Sequence, residues 1–332
     1  MRWARVAMSL AGALWAAGSV SELPAADPKP LPVERTQILH GDDAIYFVEG
    51  RRKIPKGVEI SIQKGIKVVG RGEGAAIVVE GSLQVHGVRK LECVFADLVI
   101  EPAAKFEEIH LDMVVFGGKG GGVMTGKDAP CDGRLFIENT IVKAPCLIDV
   151  SMSGNQVDVQ RVNCDTPLCL RGVDPKSGPN SVKAMVMTSY PQSGGNWALE
   201  GGLLVENVAD VTVRNNVIAG NACVVTDCDS VTFDANKVSS KTLEFRQSAA
   251  GRFGRTRMQK CDLYTGKIVL FAPPVKGRAE SLYCDKCWFQ AGIDEKTLRE
   301  EVFQDAEDDP ASGVTVDFKK IMEKPLGLCD GK

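Results

Sequence analysis

Five basic side chains and no acidic one fall within a short stretch: Arg246, Arg252, Arg255, Arg257 and Lys260. A guanidinium offers a rigid fork of donors that matches the paired oxygens of a carboxylate or sulfate. A loop carrying several, with Gly251 and Gly254 among them, is suited to gripping an acidic polymer. A solvated loop that binds nothing has the same composition, so both readings stand at this level. A second stretch, Ser189 to Gly202, carries Tyr190 and Trp197. Facing outward, these rings would stack on a sugar; turned inward, Trp197 would anchor its own loop.

Other residues are capable of chemistry but lack the company it needs. His86 and His110 lie 24 residues apart, with Asp112 beside the second. If brought together they form a metal or acid–base cluster, and if not they are ordinary surface residues. Gly121 to Lys127 matches G-x-x-x-x-G-K, but Asp128 replaces the required Ser or Thr and Ala129-Pro130 does not open the necessary helix, so the stretch from Gly117 to Asp128 is expected to be a flexible loop between strands rather than a phosphate loop. Cys284 and Cys287 form a C-x-x-C pair with no second pair of zinc-ribbon spacing. Cys261 lies 23 and 26 residues before them, so a disulfide between successive chain repeats is favoured over metal. No residue stands out as catalytic, and neither a metal nor a cofactor is expected.

The elements that position these residues are short strands. Apolar residues alternate in runs such as Val58-Glu-Ile60-Ser-Ile62, Leu135-Phe-Ile137, Val157-Asp-Val159, Val211-Thr-Val213 and Val231-Thr-Phe233. The better-marked runs start at Leu91, Ile109, Leu135, Val157, Val182, Val211 and Val231, at intervals of 18, 26, 22, 25, 29 and 20 residues. A strand repeating in the twenties points to a solenoid. The leucine-rich alternative lacks its L-x-x-L-x-L-x-x-N skeleton, and a β-sandwich needs no fixed period. Corners fall at Asn139-Thr140, Asn215-Asn216 and Ala235-Asn236, where Asn tolerates left-handed backbone and can share hydrogen bonds with an Asn stacked above it. With a 20-residue register Asn207 stacks on Asp227 and Arg214 on Asp234, an amide on a carboxylate and a surface ion pair, neither a catalytic dyad. The expected fold is all-β: a single-stranded right-handed parallel β-helix of about ten coils, on the order of 50 Å long, with a short C-terminal helix as cap.

The repeats Val211-Thr-Val-Arg-Asn-Asn-Val-Ile218 and Val231-Thr-Phe-Asp-Ala-Asn-Lys-Val238 resemble the pectin-lyase-like superfamily of right-handed parallel β-helix proteins. That resemblance implies the fold and a group of possible activities: pectate lyases, polygalacturonases, and non-enzymatic surface proteins. The polygalacturonase elements N-T-D, D-D, G-H-G and R-I-K are not reproduced. The Asp-Asp pairs, Asp42-Asp43 and Asp308-Asp309, lie at the chain ends and His86 sits in V-H-G. The R-x-P-x-x-R element of calcium-dependent pectate lyases is also absent, so no catalytic residue is carried over.

The whole-chain composition frames these expectations. The 332 residues are 44% hydrophobic with a formal net charge of -3, which supplies no global basic field for nucleic acid. Residues 1–26, with Arg2, Arg5, an apolar run to Ala17 and small residues beyond, have the order of a signal peptide and predict a secreted, periplasmic or cell-envelope protein with no membrane span in the mature chain. Eleven cysteines permit disulfides in that compartment, although buried thiols fit equally well. Residues 27–56 are expected to form a linker and cap, 57–290 the β-helix, and 291–332 a helix and tail, with an amphipathic helix over 293–310. The functional expectation is binding of an extended acidic polysaccharide through Tyr190, Trp197, Arg246, Arg252, Arg255, Arg257 and Lys260. The alternatives are a polysaccharide lyase or glycosidase of divergent site, and a structural envelope component.

Overall fold

In the computed structural model, the described residues are 27–41, 43–125, 130–172, 182–187, 197–249, 253–276, 280–292, 294–309 and 311–327. The chain winds as a three-sided parallel coil. One rung shows the plan: Asp210–Arg214 forms face A, Val217–Ile218 face B and Ala222–Thr226 face C, after which Ser230–Asp234 begins face A again. Val211 lies in register with Val231 and Val213 with Phe233, so the 20-residue echo is one rung seated on the next. All named strand pairings are parallel. Face A runs from Gln37–Leu39 to Val314–Ile321, face B from Lys29–Pro30 to Trp288-Phe289, and face C from Arg51–Ile54 to Phe303–Gln304.

The register corrects two of the run starts read from the sequence, and with them three intervals. Leu91 is not on face A; it bridges Val88 in a tight turn, and Leu83 is the residue beneath Ile109, giving 26 residues rather than 18. Val157 pairs with Ala184 and Ala184 with Val211, so Val182 lies just before its strand and both intervals are 27. The alternation is the same in each case, and it fixes which side chains point inward but not where each run begins.

Inward residues fill the core at almost no exposure; Phe95 packs on Phe116 across adjacent layers of face B, and Phe233 on Phe245 from face A to face C within one layer. Burial of each such side chain stabilises by about 1.5–3 kcal/mol. The corner between faces A and B is built from left-handed residues, Met113, Asn139, Arg161, Asn215, Ala235, Lys260 and Lys286, with φ between 47° and 55°. The amides of the first six donate to the carbonyl one rung further on, as in Asn139 N–H to Gln160 O at 3.0 Å and Ala235 N–H to Gln259 O at 3.0 Å. The ladder thus continues through the corner, and this continuity imposes the left-handed backbone on side chains that do not favour it. The next residue turns inward in each: Asn216 and Asn236 are fully buried, and Asn236 Oδ1 accepts from both the amide of Asn216 at 3.0 Å and its Nδ2 at 2.9 Å.

Three regions differ from the sequence expectation. Gly122–Met124, inside the glycine-rich stretch, is a face C strand between Val99-Ile100 and Leu147–Asp149, while residues 126–129 lie outside the described ones. Gly122 is required there, because a Cβ would fall 1.9 Å from the Leu147 carbonyl and the backbone has φ +115°. The segment expected as an N-terminal cap coils into the ladders through Lys29–Pro30, Gln37–Leu39 and Ile45–Ile54. At the other end helical structure is short. Asp294 caps Glu295–Thr297, a wider turn follows over Leu298–Val302, and the chain returns to strand at Phe303–Gln304 and Val314–Ile321. Leu298 and Val302 are buried as an amphipathic turn predicts, but Val314-Thr-Val316 alternates as the earlier strands do and adds another layer.

Candidate ligand-binding face

The outward side chains of face A form columns along the coil axis. The middle column reads Gln84, His110, Phe136, Asp158, Met185, Thr212, Thr232, Arg257, Tyr283 and Asp317, each in register with the next. Successive members stand about 4.8 Å apart, the spacing of hydrogen-bonded strands.

The basic residues found in the sequence separate into groups. Arg255 ends a single 3-10 turn at the corner leading into face A, Arg257 projects from face A, and Lys260 occupies the next corner. All three are exposed, and they span one rung with no ion pair among the described residues. Arg246 belongs to face C instead, where its Nε donates to Glu244 at 2.6 Å. Trp197 is half-buried two residues before Leu199, which bridges Cys164 and Ile218 on face B. Face B then runs through Val238 to Leu263, so Trp197 sits about three rungs, some ~14 Å, before the Lys260 corner. Tyr190 and Arg252 lie outside the described residues.

Sequence reading missed the neighbours of this cationic rung. Tyr283 lies in register with Arg257, and Lys286 occupies the corner after Lys260, exposed with φ 55°. Lys319 Nζ stands 6.0 Å from the Tyr283 ring centroid and 2.7 Å from Asp317, and its ammonium pKa is raised by that hydrogen bond. The signal was present in the 26-residue offset linking Cys261 to Cys287, which also superposes Arg257 on Tyr283 and Lys260 on Lys286.

Towards the N-terminal end the same face carries a different set. The histidine rings of His86 and His110 do come together, with centroids 5.6 Å apart, and His110 is 5.8 Å from Phe136. His86 is in register with Asp112. The carboxylates around them are already engaged: Asp112 accepts from Asn139 at 2.6 Å, and Glu138 from Arg161 at 3.0 Å, with His110 Nε2 3.8 Å from Glu138. Among the described residues no three His, Cys, Asp or Glu side chains are grouped to hold a metal ion. Asp158 is buried on this face, with Gln156 donating to one oxygen at 2.7 Å and the other lacking a hydrogen bond. Burial pushes its pKa above the usual carboxylate value, the Gln156 bond opposing.

Of the cysteines, those at 131, 223 and 228 are pushed by burial to pKa values of about 12, which removes them from thiolate chemistry. Cys261 lies one rung from Cys287 of the C-x-x-C pair, as the sequence interval anticipates.

No known protein family, characterised protein or solved structure matches this chain. Among the described residues no helix is long and apolar enough to cross a membrane.

Proposed function

We propose that this chain is a non-catalytic binding protein for an extended acidic polysaccharide, held against the C-terminal part of face A. The observation that carries this reading is the cationic rung: Arg255, Arg257 and Lys260 are exposed, without ion pairs among the described residues, and Arg257 is stacked next to Tyr283. Guanidinium groups that are not committed to the protein's own acids are available to carboxylates or sulfates of a ligand, and the phenol beside them adds a ring for stacking. A linear polymer suits a surface that repeats every ~4.8 Å along its axis. The N-terminal 26 residues, read as an export signal, would deliver the chain to the cell envelope or exterior, where such polymers occur. Likeness to the pectin-lyase-like superfamily supports the reading at the level of architecture alone.

The test is retention of the purified chain on immobilised polygalacturonate, alginate and sulfated glycosaminoglycan, with neutral dextran as control and release of reducing or unsaturated ends measured in parallel. Retention on an acidic matrix, weakened by salt and reduced roughly 10- to 100-fold in R255A/R257A/K260A, is expected from three partly exposed contacts of about 0.5–1 kcal/mol each. Equal retention of the triple variant would remove the cationic rung from the site. Release of chain ends would replace binding by a lyase or hydrolase, and no retention on any matrix would leave a structural envelope role.

A further inference from the structure

The column that turns inward after the left-handed corner holds Asn216 and Asn236 on adjacent rungs, then Cys261, then Cys287. Cys261 and Cys287 are therefore stacked neighbours. Asp262 is in register with Trp288, and the amide of Trp288 donates to the carbonyl of Cys261 at 2.8 Å. Adjacent rungs place Cα atoms about 4.8 Å apart, within the ~4.4–6.8 Å that a disulfide spans. The thiols of Cys261 and Cys287 adopt the same pose on successive rungs, each donating to the carbonyl two residues earlier, Gln259 at 3.2 Å and Asp285 at 3.6 Å.

We infer that Cys261 and Cys287 are the site of a cross-rung disulfide that staples two successive coils near the C-terminal end, leaving Cys284 as a buried thiol. The C-x-x-C partner is the less suited one, because Cys284 and Cys287 share a strand with the left-handed Lys286 between them, whereas Cys261 faces Cys287 across a ladder spacing. Burial raises the pKa of Cys261, the adjoining Cys287 together with burial raises that of Cys284, and at Cys287 the two neighbouring thiols outweigh burial and lower it. Before Val314–Ile321 covers them either sulfur can open the exchange, and the steps are the same in mirror order when it is Cys287. The Cys261 thiolate opens the disulfide of a donor, a small-molecule disulfide or a dithiol oxidoreductase, and expels one donor thiolate, which takes up a proton. Cys287, losing its proton, then attacks the Cys261 sulfur of the mixed disulfide and releases the second donor thiol. Two electrons pass to the donor, and two protons leave the cysteines.

The three side chains are at most 1% exposed, and the strand Val314–Ile321 covers the last two, pairing with Cys284 and Cys287 in register. The bond must accordingly form before that strand docks, and once formed it is shielded from reductants.

The test is refolding of the full chain in mixed oxidised and reduced glutathione, followed by denaturation without reductant, alkylation, proteolysis and mass spectrometry. A cross-linked peptide joining Cys261 to Cys287, two hydrogens lighter than its reduced parts, with Cys284 alkylated, is the expected result. Recovery of all three as alkylated thiols overturns the inference, as does a Cys284–Cys287 link. Cys284→Ser should leave the cross-link intact, and Cys287→Ser should leave Cys261 and Cys284 both alkylated. Loss of the link in Cys284→Ser would also count against it.

Discussion

The Asn236 side chain gives the sharpest test of how the corner is held. Its Oδ1 accepts from the amide of Asn216 at 3.0 Å, and its Nδ2 donates to the Val213 carbonyl at 2.8 Å, in surroundings at 0% exposure. Asn236→Ala removes both partners at once. Leaving a buried amide unsatisfied costs about 1–3 kcal/mol, and the lost bond to Val213 about 1 more, so the variant should lose about 2–4 kcal/mol. Urea unfolding followed by circular dichroism reads this as a lower midpoint at unchanged slope. Because a solenoid can open locally, hydrogen exchange at the Asn216 amide provides a second readout, and its protection should fall together with the midpoint. Thr232→Ala, on the outward side of the neighbouring strand, should change stability by less than about 0.5 kcal/mol. If Asn236→Ala behaves like Thr232→Ala and the Asn216 amide exchanges as in the parent, the buried amide pair is not what secures the corner.

Two further outcomes follow from single residues. Ala235 holds a φ of 53°, which costs a non-glycine residue about 1–2 kcal/mol, and Ala235→Asn, matching Asn215 in the same column, should raise the urea midpoint by the equivalent of about 1 kcal/mol. Asp158 has its pKa raised by burial, so between its ordinary and raised values the folded chain binds more protons than the unfolded one and stability declines as pH rises. Asp158→Asn should therefore be the more stable chain above that window and lose this part of the pH dependence, while thermal unfolding below it should show little difference.

Much of the scaffold was legible in the sequence because one physical rule repeats. Val211 over Val231 and Asn216 over Asn236 were readable as rungs, since the inward face must be apolar and the corner must satisfy its backbone. The phase of each rung was less so: Leu91 alternates like a strand residue yet sits in a turn, and composition does not distinguish the two. Nor does it announce that Met113, Arg161, Lys260 and Lys286 are left-handed, because the ladder rather than the side chain demands it. Charge alone identified Arg255, Arg257 and Lys260, but chain distance concealed that Arg246 belongs to another face and Tyr283 to the same one. At the C-terminal end, the apolar spacing of Leu298 and Val302 fits one helical turn as well as a long helix, and only the return to strand at Phe303 shows where it stops.

Strand pairing in which each rung meets only the one before and the one after has a temporal consequence. A chain emerging N-terminus first already holds every partner that its newest rung requires, so coiling can keep pace with emergence and no distant segment has to be awaited. Such a growth front carries its raw edges forward on the newest rung, one on each of the three faces. Among the described residues the final edge of face A is Val314–Ile321, laddered on one side to Glu280–Phe289.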